Sequence, residues 1–257
     1  MNSVVAAAQS LGVDLDAGQQ AQFERFGQLI ELHNKQFNLT GAKTQERIRD
    51  ELLIRSLRIL SPAGGSVPTP EWFAGKRAID VGTGAGIPGV VMKIALPELR
   101  ITLLDSTAKK TTFLKEVVEE LKLESVEVIT NRAEELGQDP EHREAYDLVV
   151  ARAVARLPEL AELTLPFAII GGTVILPKSA GLEDELDAAA AAAEILGAAP
   201  AITLQVDRPG TSSPDHTVYW MKISPTPREF PRRIGVPHRS PLIEQNSRPN
   251  AKPFWNK

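Results

Sequence analysis

The chain has 257 residues, 42% hydrophobic and 24% charged, which suits a folded protein long enough to bury a core without covalent staples. It contains no cysteine, which excludes disulfides, thiolate catalysis and Cys-ligated zinc, and its four histidines lack HExxH spacing, so no metal site is expected. The net charge of −4 argues by itself against a nucleic-acid partner, since phosphate contacts need Lys and Arg, but that charge is unevenly spread.

The first ten residues, MNSVVAAAQS, have neither a basic n-region nor a long apolar run, and no stretch approaches the ~20 apolar residues of a membrane span. No membrane partner and a cytoplasmic location are therefore expected. Residues 1–60 read as a helical extension. Phe23, Phe26, Leu29, Ile30 and Leu32 recur at helical spacing from about Asp16 to Phe37. Asn38-Leu39-Thr40-Gly41 breaks the pattern, and Thr44 is the expected N-cap of a second helix carrying Ile48, Leu52, Leu53, Leu57 and Leu60. Residues 61–70 (SPAGGSVPTP) read as a linker, and 71–227 as the main α/β domain.

That domain opens on Arg77 to Gly89, RAIDVGTGAGIPG: a short apolar strand, a turn with Gly82, Gly84, Gly86 and Gly89, then a helix from Val90. In doubly wound α/β sheets, ligands bind beyond the carboxyl ends of the strands. Gly84-x-Gly86-x-x-Gly89 fits a dinucleotide fingerprint, with pyrophosphate on a helix N-terminus. Asp80-x-Gly82-x-Gly84-x-Gly86 fits instead the S-adenosylmethionine loop of class I methyltransferases. An acid at the strand end would repel a pyrophosphate and suits a sulfonium or ammonium cation, so Asp80 favours S-adenosylmethionine.

Strand and helix then alternate as a parallel sheet requires. Ile101 to Leu104 is the second strand, ending at Asp105, and Thr107 to Leu121 an amphipathic helix with Phe113, Leu114, Val117 and Val118 inward. Val126 to Ile129 is the third strand, leading to Ala133-Glu134; Asp147 to Ala151 is the fourth, leading to Arg152. A helix over Pro158 to Ala168, the pair Gly171-Gly172, a strand over Thr173 to Leu176 and a helix over Leu182 to Leu196 follow. Ala201 to Val206 and Thr217 to Ile223 have no helix between them, so they should close the sheet as an antiparallel hairpin. This is how class I methyltransferase sheets end, giving a mixed, seven-stranded Rossmann-like α/β fold.

Asp105, 25 positions after Asp80 and at the end of the next strand, is placed to accept the ribose hydroxyls of the donor. Ala133 and Glu134 are next around the pocket, where they can read an adenine edge. Arg152, past the fourth strand, can bind either the donor's carboxylate or a phosphate of the acceptor. Residues 228–257 form a basic tail, with Arg228, Arg232, Arg233, Arg239, Arg248, Lys252 and Lys257 against Glu229 and Glu244. Phe230, Phe254 and Trp255 are interleaved with them, a composition that suits RNA by phosphate contact and base stacking, or a solubilising terminus.

The chain resembles the bacterial small-subunit ribosomal RNA guanine-N7 methyltransferases, the RsmG or GidB family (methyltransferase G). The segments that carry the resemblance are IDVGTGAGIPG (79–89), LLDSTAKKTTFL (103–114), RAEE (132–135), ARAVA (151–155) and FPRRIGVP (230–237). It implies donor contacts at Gly82, Ile87, Ala133, Glu134 and Arg152, methyl transfer to a guanine N7 near the decoding region of 16S rRNA, and a small-ribosomal-subunit partner. A monomer is expected, and no catalytic acid or base. The chain departs from the family where His33 replaces a usual Trp, where Leu52 and Arg55 replace the His and Asp of His-x-x-Asp-Ser, and at Pro177-Lys178-Ser179. A small-molecule methyltransferase, a nicotinamide or flavin oxidoreductase and a non-catalytic RNA-binding protein are the alternatives.

Overall fold

A computed structural model describes residues 1–60, 70–178, 182–206 and 215–242. Its centre is one seven-stranded sheet of order β3-β2-β1-β4-β5-β7-β6. β1 (Arg77–Val81), β2 (Arg100–Asp105), β3 (Val126–Thr130), β4 (Tyr146–Val150) and β5 (Ala168–Lys178) run parallel. β7 (Asp215–Met221) pairs antiparallel with both β5 and β6 (Ile202–Val206), the closing hairpin expected from the sequence. The order in which strands are added reverses between β1 and β4, so the crevice beyond the carboxyl ends of β1, β2 and β4 is the place where such sheets bind ligands.

The strands are apolar on both sides because both faces are covered. Ala78, Leu103, Leu148, Val150 and Ile175 join one core cluster; their alternates Ile79, Val81, Leu104, Val149, Val174 and Leu176 join the other. α5 (Gly89–Ala95) and α6 (Ala108–Glu120) cover the first face, with the N-terminal extension packed over them. α7 (Ala133–Leu136), α8 (Leu157–Thr164) and α9 (Glu183–Ile195) cover the second.

The extension comprises α1 (Asn2–Gln9), α2 (Ala17–Asn34) and a helical run from Gln45 to Leu60 that includes α3 (Gln45–Arg47) and α4 (Arg55–Leu57). Asp16 and Gln19 form a reciprocal capping box at the start of α2, and Thr44 caps the second run as expected, its Oγ1 accepting from the Arg47 amide at 3.3 Å. The run widens into a π-helical stretch over Ile48–Ile54 before tightening again. Phe23, Phe26, Leu29 and Ile30 share a cluster with Val90, Val91 and Phe113. Gln19 and Gln22 donate to the carbonyls of Ile94 and Leu121, tying α2 to α5 and α6.

The sequence reading needs two revisions in the second half. Ala168 is not helical: α8 ends at Thr164, a short turn spans Leu165–Phe167, and Ala168 opens β5. Gly171 and Gly172 do not precede β5 but lie inside it, where the register against β4 slips between Tyr146 and Leu148. A Cβ on Gly172 would lie about 3 Å from the carbonyl oxygens of Ile169, Tyr146 and Asp147, so only glycine fits this bulge. The linker at 61–69 lies outside the described residues.

Candidate functional site

Beyond the carboxyl ends of β1, β2 and β3 lies a cavity of about 420 Å³, within the range of small-molecule sites. Gly82, Asp105, Ala133 and Glu134, four of the residues singled out from the sequence, line it. Leu104, Val154, Leu163 and Ile234 supply apolar wall.

Gly82 has φ +71°, and a Cβ there would lie 2.7 Å from the Val154 side chain. Glycine is required both for the turn and for the room beside Val154. Asp105 is 5% exposed, yet its carboxylate is fixed from behind: Oδ2 accepts from the Gly84 amide at 3.0 Å, and Oδ1 from the Thr107 amide at 2.8 Å. Lys110 Nζ stands 3.5 Å away. A carboxylate can accept about four hydrogen bonds, so capacity remains for a diol in the cavity.

Asp80 is placed differently from the sequence expectation. It is fully buried and does not line the cavity; its Oδ2 accepts from the Thr83 hydroxyl at 2.6 Å and the Gly89 amide at 2.7 Å. Burial, opposed by those two bonds, pushes its carboxyl up to about 7. Asp80 therefore clasps the two ends of the glycine turn, and a direct ion pair with a bound cation is not what this geometry provides. Gly89 must be glycine for the same reason, because a Cβ would lie 2.8 Å from Asp80 Oδ2 and 2.4 Å from Leu103. Gly84 reaches the site through its amide on Asp105; Gly86 and Ile87 belong to the turn but not to the cavity lining.

Arg152 also lies elsewhere. Its guanidinium donates to Ser56 Oγ at 2.7 Å and to the Glu51 carbonyl at 2.6 Å, and it faces a second, smaller cavity against the N-terminal extension. Burial first, then the nearby Arg55, lower it to about 10.

The basic tail is the largest correction. Residues 228–242 are a wall of the molecule rather than a free terminus. Phe230 is buried in the second core cluster, and Arg143 donates to the Phe230 and Thr226 carbonyls. The Arg232 amide, Nε and Nη2 all bond the fully buried Glu162 at 2.6–3.0 Å. The Gly235 amide donates to Glu134 Oε1 at 2.9 Å, which brings Ile234, Gly235 and His238 into the cavity lining. Nothing in composition pointed to these three residues, although the FPRRIGVP segment that contains Ile234 and Gly235 was a carrier of the resemblance. Arg248, Lys252, Phe254, Trp255 and Lys257 lie outside the described residues.

The departures from the family pattern have local partners. His33 Nε2 is 3.0 Å from Glu116, and its ring packs 4.8 Å from that of Phe113. Arg55 forms a two-pronged pair with Asp215 at the start of β7, so the changed residue ties the extension to the sheet.

The chain is similar to known proteins over most of its length. The family model described as GidB, rRNA small subunit methyltransferase G, matches residues 19–211. Relatives that carry the name Ribosomal RNA small subunit methyltransferase G include two that span most of this chain. One, from Dehalococcoides mccartyi, is 38% identical over 244 residues, covering 95% of this chain and 100% of its own. The other, from Deinococcus radiodurans, is 42% identical over 239 residues, covering 92% and 90%. Among solved structures, fibrillarin from Aeropyrum pernix, in complex with natively bound S-adenosyl-L-methionine, aligns with a TM-score of 0.43 at 15% identity, over 58% of this chain and 67% of that one.

Proposed function

The chain belongs to the GidB family, rRNA small subunit methyltransferase G, and is an S-adenosylmethionine-dependent methyltransferase of small-subunit ribosomal RNA; we propose that it methylates N7 of a guanine in 16S rRNA, with the donor in the 420 Å³ cavity. The observation that carries this assignment of the cavity is Asp105. Its carboxylate is held by two backbone amides at the end of β2, beside the turn residue Gly82, which lines the cavity.

The donor supplies an electrophilic methyl on a sulfonium. The protein binds and orients. Asp105 accepts the ribose hydroxyls, and Leu104, Ala133, Leu163 and Ile234 flank the base. Glu134 acts through Gly235, whose amide occupies one of its oxygens, and so fixes the C-terminal wall against the cavity. Asp80 and Gly84 serve behind them, the first closing the turn and the second holding Asp105.

Guanine N7 carries an in-plane lone pair and no proton. Transfer therefore needs no base, and alignment of the two reactants supplies the acceleration. We accordingly assign no catalytic acid, base or metal. Among the described residues, no helix is long and apolar enough to cross a membrane. A monomer acting in the cytoplasm, where ribosomal subunits are assembled, accords with this reading.

The test is incubation of the purified protein with labelled S-adenosylmethionine and small ribosomal subunits from cells lacking the native enzyme, followed by nucleoside digestion. Label in 7-methylguanosine is the expected result. Label in another methylated nucleoside would overturn the N7 assignment, and no label in rRNA would overturn the choice of acceptor.

A further inference from the structure

The second cavity, about 180 Å³, is too small for a nucleotide-sized ligand and is lined by charge. Arg55 and Arg58 come from the N-terminal extension, Arg152 follows β4, Lys178 ends β5, and His216 lies on β7. Four separate parts of the chain thus bring basic side chains to one point. Asp215 is the one acid in the lining among the described residues, and Arg55 already engages both of its oxygens.

The remaining basic side chains are only partly matched. Arg58 Nη1 is buried without a hydrogen bond and stands 3.7 Å from Asp215 Oδ2. His216 Nδ1 is likewise buried and unbonded. Arg152 donates to a hydroxyl and a backbone carbonyl; Arg55 close by works against its charge, and Asp215, Asp80 and Glu51 favour it. Lys178 is better satisfied, 2.8 Å from Glu185. A buried donor without an acceptor costs about 1–3 kcal/mol, more when charged, so an anion entering here would satisfy groups that the protein leaves open.

Position identifies the anion. Ala153 lines this cavity, and the next residue, Val154, lines the donor cavity. Ala153 has φ +57°, so the chain turns sharply between the two. We propose that the Arg55–Arg58–Arg152 cavity binds a backbone phosphate of the acceptor RNA next to the target guanine, fixing the strand relative to the donor. The proposal rests on the RNA methyltransferase reading above. Guanidinium forks suit such an oxygen-rich anion.

The experiment compares wild type with Arg58→Gln and Arg58→Lys, using an unmethylated 16S rRNA transcript. Filter binding across a salt series gives RNA affinity and its salt slope; calorimetry gives S-adenosylmethionine affinity. One lost phosphate contact should reduce the slope by about 0.7–0.9. Arg58→Gln should show that loss with roughly tenfold weaker RNA binding and an unchanged donor Kd, and Arg58→Lys should keep most of the slope. Should Arg58→Gln fail to fold, Lys178→Gln on another side of the cavity must show a reduced slope.

Weakened donor binding with an unchanged RNA slope would instead make this a subsite for the donor's carboxylate and overturn the proposal. So would saturable binding of inorganic phosphate, lost in Arg58→Gln, with no change in RNA slope. A wild-type slope in a folded variant, while wild type methylates guanine N7, sinks this proposal alone. Wild type that neither binds nor methylates 16S rRNA sinks the parent reading.

Discussion

Asp105→Asn tests the donor contact at close to constant side-chain size. The substitution keeps the size of the side chain and one carbonyl oxygen, so the Thr107 amide retains an acceptor, while the charge facing the cavity is lost and the new NH2 replaces the acceptor of the Gly84 amide. Hydrogen bonds to an ionised acceptor are worth about 1.5–3 kcal/mol each, against 0.5–1.5 for neutral ones. Two ribose hydroxyls on a carboxylate held by the Gly84 and Thr107 amides should together lose about 2–3 kcal/mol. That corresponds to a donor Kd about 30–150 times weaker. Isothermal calorimetry with S-adenosylmethionine measures it directly, and S-adenosylhomocysteine should lose as much, because the ribose is common to both. A thermal melt run alongside separates binding from folding. A donor Kd within twofold of wild type, in a protein that melts normally, would remove Asp105 from the site and the ribose argument with it.

Arg232→Met leaves Glu162 buried with only the backbone amide of residue 232 and no counter-charge, which should cost about 3 kcal/mol by urea denaturation and lower the melting temperature by roughly 6–12 °C. The double variant Arg232→Met/Glu162→Leu should recover most of this, and an unchanged single variant would show that the ion pair is not needed. Asp80, raised from 3.8 to about 7 by burial, binds its proton more tightly folded than unfolded. Its contribution to stability is therefore full below about pH 4, lost as the pH rises toward 7 and level above; the wild-type curve minus that of Asp80→Asn should show this fall, and a flat difference would refute it. Ending the chain after Leu242 removes Arg248, Lys252 and Lys257 but keeps the C-terminal wall, and the RNA salt slope should drop by up to about 2. An unchanged slope would exclude those three cations from RNA contact. Ending it before Arg228 should instead unfold the protein, since Phe230, Arg232 and Gly235 go too.

The sheet, its order of elements and the ligand-binding turn were legible from residue patterns, because each depends on local periodicity. Apolar strands alternate with amphipathic helices, and glycines follow β1. Asp105 was also legible, since a residue at the carboxyl end of β2 has only one crevice to face. What misled was direction. Asp80 and Asp105 both end parallel strands, yet the first is enclosed by the Thr83 and Gly89 bonds while the second reaches the cavity. Arg152 likewise ends a strand beside the crevice but turns toward Ser56, almost a hundred residues earlier. The tail shows the same limit more plainly. Its basic composition suggests a free, RNA-seeking terminus, whereas Glu162 on α8 and Glu134 on α7 claim Arg232 and Gly235 for the fold. Charge in a sequence says that a partner is needed; only the packed chain decides whether that partner is a nucleic acid or another part of the same protein, because the pairing depends on distances that span 70 to 100 residues.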